Sequence, residues 1–487
     1  MATTCSAAHG SCLARCWVPP STHLEELFSA SVSRREFVAR CLALGASVLL
    51  ASCTAGLRPG DVRRVAGRRA SSIDTRWPVK RVVYLMLENR SFDNLFGRFP
   101  GVEGATVGVR EGREVPLGRC PEWLPGDLPH DRAAGLSSLN GGAMDGFALG
   151  EFGPLYAYSQ FREEDVPNYW HWAREYVLGD HVFASVLGPS HPNHLHFIAG
   201  ADGGAIDNPE GIKVRRENGY LYKSWGIDAV GDEVFVFVED QHGNLTKHGT
   251  RFDLPTVGEQ LSARDIDWAY YAAEPHQAGY IWSTYSAIPN VFETELWDRH
   301  VRPVDRLLAD IEAAALPAVS WVTPRFELSD HPPFSTYFAH DWVTAIVNGI
   351  MRSPMWDETA IFLTWDEWGG LYDHVRPPVV GGRELGFRVP MLVVSPYARR
   401  GYVDETVGDF SGPLRFIADN WDLPYLTPAI RRSHTYEHVF DWRRGPRPPD
   451  PRRPRGATGS GPRDFPRAFP AWPRGTEPNR PDFLSAR

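Results

Sequence analysis

Cysteine is scarce in this chain, with six in 487 residues, and Cys5, Cys12, Cys16 and Cys41 all fall near the start. With Cys53 assigned to processing (below), only Cys120 remains, which excludes an internal disulfide framework. An excess of positive charge is also missing. The formal net charge of -9 argues against a nucleic-acid partner, whose footprint is usually basic, and leaves room for a local basic pocket. The apolar run from Leu42 to Ala51 is too short to span a bilayer stably. No internal repeat is visible. What is present is 43% hydrophobic and 23% charged residues, the balance of a globular protein.

The first residues read as an address. Ser33-Arg34-Arg35-Glu36-Phe37-Val38 has the form of a twin-arginine signal, which implies the twin-arginine export machinery as a partner. Leu42–Ala51 follows as the apolar core of that signal. Leu50-Ala51-Ser52-Cys53 resembles a bacterial lipobox, which would make Cys53 a lipidated first residue and anchor the protein to the membrane. A plain export signal cleaved nearby is the other reading. A start codon placed too early accounts for the long stretch before Ser33. The expected location is periplasmic, at the cell envelope as a lipoprotein, or secreted. Residues 1–53 are therefore assigned to the leader, 54–78 to a tether, 79–442 to a catalytic domain and 443–487 to a tail. The tail is rich in Pro and Arg, as in Arg444-Gly445-Pro446-Arg447-Pro448-Pro449. Such a composition cannot bury enough apolar surface to fold alone, so disorder is expected. Its arginines suit anionic headgroups, and a solvated tail with no partner is the plainer alternative.

Between these ends, short β-branched runs read as buried parallel strands: Arg81–Leu87, Ala318–Val322, Ala360–Thr364 and Val389–Val394. Helical spacing occurs over Pro303–Ala315, Phe338–Met351 and Leu414–Trp421. Strands alternating with helices predict a three-layer α/β/α sandwich around a mainly parallel sheet. Glu233–Val238 and the polar run after it read as an inserted hairpin. The aromatic segment Trp268–Trp297 reads equally as a cap over the site or as ordinary core.

Two acidic dipeptides close predicted strands. Glu88-Asn89 follows the first, and Asp366-Glu367 follows the run from Ala360. Ligands gather beyond the carboxyl ends of strands in open parallel sheets. If these strands are neighbours, the four side chains converge. Crowded carboxylates repel unless a cation sits among them. The oxygen-rich set Glu88, Asn89, Asp366 and Glu367 suits magnesium, calcium or manganese better than a thiolate-type zinc site. Taken singly, each strand-end carboxylate is as easily a helix cap or a surface ion pair. Ser190 lies in Gly188-Pro189-Ser190-His191-Pro192-Asn193-His194, at the start of a predicted helix. It reads as a helix cap or as a nucleophile activated by a metal or base. His331, after Asp330, is placed to bind a phosphoryl group or protonate a leaving group, or is a plain loop histidine. His374, after Asp373, is expected to support the metal carboxylates from behind, with a structural role as the alternative. The expected reaction is metal-assisted hydrolysis of a phosphoester.

Several runs carry a family resemblance. Glu88-Asn89-Arg90-Ser91-Phe92-Asp93-Asn94-Leu95-Phe96-Gly97 resembles the opening motif of a bacterial phosphoesterase family that includes phosphatidylcholine-type phospholipases C and an acid phosphatase. Met144-Asp145-Gly146-Phe147, Gly188–Asn193, Asp330-His331-Pro332-Pro333, Asp366-Glu367 with Tyr372–Val375, and Gly386-Phe387-Arg388-Val389-Pro390 extend it. The resemblance implies an alkaline-phosphatase-like fold. It implies a divalent ion (calcium, magnesium, manganese or zinc) held by Glu88, Asn89, Asp366 and Glu367, with Ser190 as the nucleophile and a further ligand close to it. His331 is expected to be catalytic, with Asp330, Asn193 and His374 supporting the site or binding substrate. The expected substrate is a phosphoester or phospholipid. One departure stands out: Asp409-Phe410-Ser411 occupies a place where the family often has Asp-His-Thr-Ser. Phe410 cannot donate a side-chain hydrogen bond or ligate metal, and it supports the alternative of a non-catalytic exported lipoprotein that binds a phosphorylated ligand.

Overall fold

The computed structural model describes residues 74–217 and 220–455. The leader with Cys53, most of the tether and residues 456–487 lie outside the described residues.

An eight-stranded sheet forms the centre. Its strands are β1 (Arg81–Leu87), β2 (Val177–Gly179), β3 (Trp268–Ala272), β4 (Val301–Pro303), β5 (Val319–Val322), β6 (Thr359–Trp365), β7 (Met391–Val394) and β8 (Tyr402–Asp404). Their spatial order is β4-β3-β5-β1-β6-β7-β2-β8. The β4-β3, β3-β5, β5-β1, β1-β6 and β2-β8 pairs are parallel. β1 and β6 are central, and all their residues from Val82 and Thr359 onward are buried. That burial explains why they read as continuous apolar runs rather than alternating ones.

Helices cover both faces. On one, Tyr84 of β1, Trp321 of β5 and Phe362 of β6 share a row. Tyr84 packs on Phe197 of α2 (Ser190–Ala199), and Phe362 packs on Phe416 of α4 (Ser411–Asn420). On the other, Trp365 packs on Tyr169 of α1 (Pro167–Glu175), which also meets His340 of α3 (Thr336–Arg352). The expected α/β/α sandwich is the fold observed. The expected hairpin is present as Val236–Glu239 paired with Leu245–His248.

Two expectations are corrected, and one open reading is resolved. The strand predicted over Val389–Val394 is antiparallel to both neighbours, β6 and β2. Residues 366–390 contain no helix, and without a crossover element a chain leaving β6 returns antiparallel. The aromatic segment is not all cap: Trp268–Ala272 is β3, buried throughout. Finally, residues 443–455 of the expected disordered tail are docked. Trp356 Nε1 donates to Arg447 O (2.8 Å), Asn348 Nδ2 to Arg452 O (2.6 Å) and Asn168 Nδ2 to Arg453 O (3.0 Å). A Pro-rich strand cannot fold alone, but here side chains of α1, α3 and the turn before β6 satisfy its carbonyls.

Candidate functional site: an acidic cluster at the carboxyl ends of two central strands

Leu87 and Trp365 are the last paired residues of β1 and β6. Asp366 N donates to Leu87 O (2.9 Å), which carries the pairing one step further. Glu88-Asn89 and Asp366-Glu367 therefore leave the sheet side by side, although 277 residues separate Asn89 from Asp366. Asn89 N and Glu367 N both donate to Asp366 Oδ1, at 2.9 and 2.8 Å, and Gly369 N donates to Glu367 Oε2 (2.7 Å). Asn89 turns the chain at φ 62°, a left-handed conformation that Asn tolerates better than most residues. Gly369 (φ 63°) packs so closely on it that an added Cβ would lie 2.6 Å from Asn89 Cβ. Glycine is required there for both reasons.

α2 delivers the hydroxyl. Ser190 is its first residue, and Ser190 Oγ donates to Glu88 Oε2 at 3.3 Å. Asn193 braces the preceding loop: its Oδ1 accepts from Val186 N, and its Nδ2 donates to Val186 O, Gly188 O and Pro189 O. Those bonds use its polar atoms on the loop, so Asn193 positions Ser190 rather than reaching substrate. His194, one turn on, puts Nε2 3.0 Å from Glu88 Oε1 and 3.8 Å from Asp366 Oδ2. The sequence reading missed His194 as a site residue, yet its i+4 spacing from Ser190 was the available signal.

The electrostatics fit a cation. Glu88, Asp366 and Glu367 are fully buried. Burial pushes Glu88 up to about 8, against hydrogen bonds from Asp366 and Ser190 that lower it. Burial and then the Glu88 charge push Asp366 up to about 7. Burial also raises Glu367 well above its ordinary value. Asn89 Oδ1, Asp366 Oδ2 and Glu367 Oε1 are buried without hydrogen-bond partners. Three unbonded buried oxygens beside crowded carboxylates suit a hard divalent ion. His194, lowered to about 4 by burial, adds a neutral imidazole that metals favouring nitrogen accept.

A second flank carries His331, His130 and Asp127. His331 Nε2 lies 3.8 Å from Asp127 Oδ2, and His130 Nδ1 lies 3.5 Å from Asp127 Oδ1. The imidazole rings of His130 and His331 are 5.8 Å apart. Burial lowers His331, with Asp127 opposing. Burial likewise disfavours the charged form of His130, but Asp127 and Glu367 outweigh it and raise the group to about 10. His130 and Asp127 lie in a loop with no motif, and nothing in the sequence marked them.

Two expected supporting residues sit elsewhere. Asp330 (φ 77°) accepts from Trp365 Nε1 at 2.8 Å and anchors the turn before His331. His374 does not touch the ligand carboxylates. Its Nδ1 bonds Asp93 Oδ2 at 2.6 Å, in a separate buried network built on Arg388. That guanidinium, with no exposed surface, reaches Asp373 Oδ1 (3.1 Å), Asp180 Oδ1 (3.1 Å) and Asp93 Oδ1 (3.4 Å). It ties together the segments that follow β1, β6 and β2. Arg388→Leu would strand three buried carboxylates, at a cost of about 3–5 kcal/mol. A clear fall in the urea midpoint is expected, and an unchanged midpoint would contradict this role.

A buried carboxylate cluster at the carboxyl ends of central strands suits hydrolytic chemistry. A sequence model of the phosphoesterase family matches residues 79–424, and the chain belongs to that family. The haemolytic phospholipase C of Pseudomonas aeruginosa is 24% identical, with 82% of this chain and 59% of that protein aligned. Phospholipase C B of Mycobacterium tuberculosis is 25% identical, over 77% of this chain and 80% of that one. The chain thus spans about three-fifths of the Pseudomonas relative's length. A solved alkaline phosphatase superfamily protein from Vibrio parahaemolyticus aligns over 74% of this chain and 72% of that one, at 11% identity and a TM-score of 0.33.

Proposed function

We propose that this chain hydrolyses phosphoric esters through Ser190. The observation that carries the reading is Ser190 Oγ bonded to Glu88 Oε2 at 3.3 Å, inside the carboxylate cluster and at the head of a ten-residue helix. Glu88, Asn89, Asp366 and Glu367 would hold a divalent cation, which supplies charge neutralisation for the serine and phosphoryl oxygens. The positive end of the α2 dipole favours an anion at the same place, although Pro192 has no N–H and His191 N already donates to Asn208 Oδ1 at 2.9 Å. Ser190 Oγ attacks phosphorus and passes its proton to Glu88. The bond from phosphorus to the leaving oxygen breaks, and the His130–His331 pair protonates that oxygen. Water then attacks the phosphoserine, giving a proton to the His130–His331 pair, and Ser190 Oγ leaves with the proton held by Glu88, which releases phosphate or a phosphorylated headgroup. Parallel assays on phosphatidylcholine and p-nitrophenyl phosphate separate a phospholipase C from a phosphomonoesterase. Turnover of neither would sink the proposal.

Phe410 gives no ground for a non-catalytic reading. It is fully buried, and its backbone O accepts from Tyr84 Oη at 3.2 Å. Export through the twin-arginine signal and a lipid on Cys53 are part of the proposal. Among the described residues no helix is long and apolar enough to cross a membrane. Cys120 is a free, buried thiol.

Prolonged chelation is expected to abolish activity and a divalent ion to restore it. Full activity in metal-free protein would overturn the ligand assignment. The metal-free protein should also respond to pH. Folded Glu88 and Asp366 titrate at about 8 and about 7, above their unfolded values. The folded state therefore holds extra protons between about pH 4 and 8, and its stability falls as pH rises through that window. Calorimetric Tm should drop from pH 5 to pH 8 without metal, and a divalent ion should recover more of it at pH 8. A metal-induced rise equal at both pH values would contradict these shifts.

A further inference from the structure

A cavity of about 480 Å³, apolar over most of its lining but with a few charged side chains, lies beside the C-terminal half of α2. None of the candidate ligand residues lines it, nor does Ser190. Its floor is acidic. Asp202 is buried, and Asp409 accepts from Ser185 Oγ at 3.1 Å. Between them stands His196, only 6% exposed. Its Nδ1 faces Asp202 Oδ2 at 3.4 Å, within reach of a hydrogen bond, while its Nε2 is 3.8 Å from Asp409 Oδ2 and has no hydrogen-bond partner. A ring nitrogen this buried and unpaired is costly unless something bonds it. The rim is basic. Arg383 pairs with Asp202, while Arg432 lines the rim and makes no ion pair among the described residues. Val380 and Val407 complete the rim, 38% and 45% exposed, and Val379 beside them is 65% exposed.

A lone anion here would face two floor carboxylates. A lone cation would have to pass two guanidiniums. A ligand that satisfies both halves carries an ammonium directed inward and an oxyanion held at the rim. Two guanidinium forks favour an oxyanion with several free oxygens, as in phosphate. We infer that this cavity binds an amino-alkyl phosphate, distinct from the substrate at Ser190. Asp202, Asp409 and His196 accept from the ammonium, and Arg383 and Arg432 hold the phosphate. The ligand is either a free phosphoamine or the headgroup of an aminophospholipid whose chains would lie on Val379, Val380 and Val407. The inference does not rest on the proposed reaction.

The test is titration calorimetry with phosphoethanolamine, in Ser190→Ala protein loaded with its metal so that the probe is not consumed. Binding at least tenfold tighter than that of inorganic phosphate or ethanolamine is expected. Adding Arg432→Gln should weaken it at least tenfold, as should His196→Gln. Arg432 is exposed, so Arg432→Gln should fold normally, and in otherwise wild-type protein it should leave ester turnover unchanged. Phosphatidylethanolamine vesicles form the second arm. Capture that depends on Arg432, with no binding of the free compound, assigns a lipid headgroup, and binding of the free compound alone assigns a soluble ligand. Three results overturn the inference: no binding in either arm, phosphate alone binding equally well, or binding that survives both variants. The last would place the probe at the catalytic cluster.

Discussion

Ser190→Ala is expected to lower turnover of a p-nitrophenyl phosphoester by about a thousandfold or more, since losing a nucleophile removes a covalent path that neighbouring groups cannot replace. The variant should fold and keep most of its metal. Ser190 contributes one bond to Glu88, whereas the carboxylates and Asn89 supply the remaining donors. Three readouts separate the outcomes. Lost turnover with retained metal content and Tm supports the nucleophile. Lost turnover with lost metal would make Ser190 a ligand first. Wild-type turnover would remove it from the mechanism.

Asp366→Asn is expected to have the next largest effect. Asparagine keeps Oδ1 to accept from Asn89 N and Glu367 N, so the turn that joins the two dipeptides survives. The charge does not. Groups that merely orient a metal ligand cost 10–100-fold when altered, so losing a ligand charge should cost about a hundredfold or more in activity, with a measured fall in bound metal. The metal-free variant carries a sign that a simple folding defect does not reproduce. Asp366 is raised by burial and by Glu88, so replacing it relieves repulsion. Above about pH 7 the metal-free variant should melt no lower than metal-free wild type. A large loss of Tm there would show that Asp366 acts as scaffold rather than ligand.

Much of this site could be read from the chain because it is local to strand ends. Glu88-Asn89 and Asp366-Glu367 each follow an uninterrupted apolar run, and such runs mark central strands whose carboxyl ends collect ligands. The neighbour relation of β1 and β6 was the unproven step, because strand order is a long-range property that residue patterns do not encode. His194 was legible through helical spacing. His130 was not: it sits on a loop, and its proximity to Glu367 exists only after folding. The misplacement of His374 has a similar cause. Asp373-His374 follows Asp366-Glu367 closely along the chain, but Arg388 gathers Asp373 and Asp93 into a separate buried knot. The edge strands β4 and β8 and their inner neighbour β2 have three residues each, too few for periodicity to register. The docked part of the tail was missed because its bonding partners are side-chain amides of α1 and α3, not its own sequence.

The side-by-side exit of β1 and β6 also sets a timetable. Half of the cluster emerges early in synthesis, and its other half only after β6 has followed. Until then Glu88 and Asn89 are an incomplete chelator beside the serine. A nascent or truncated chain ending before β6 should therefore be inert, and only a fully made protein gains the capacity to cut its ester.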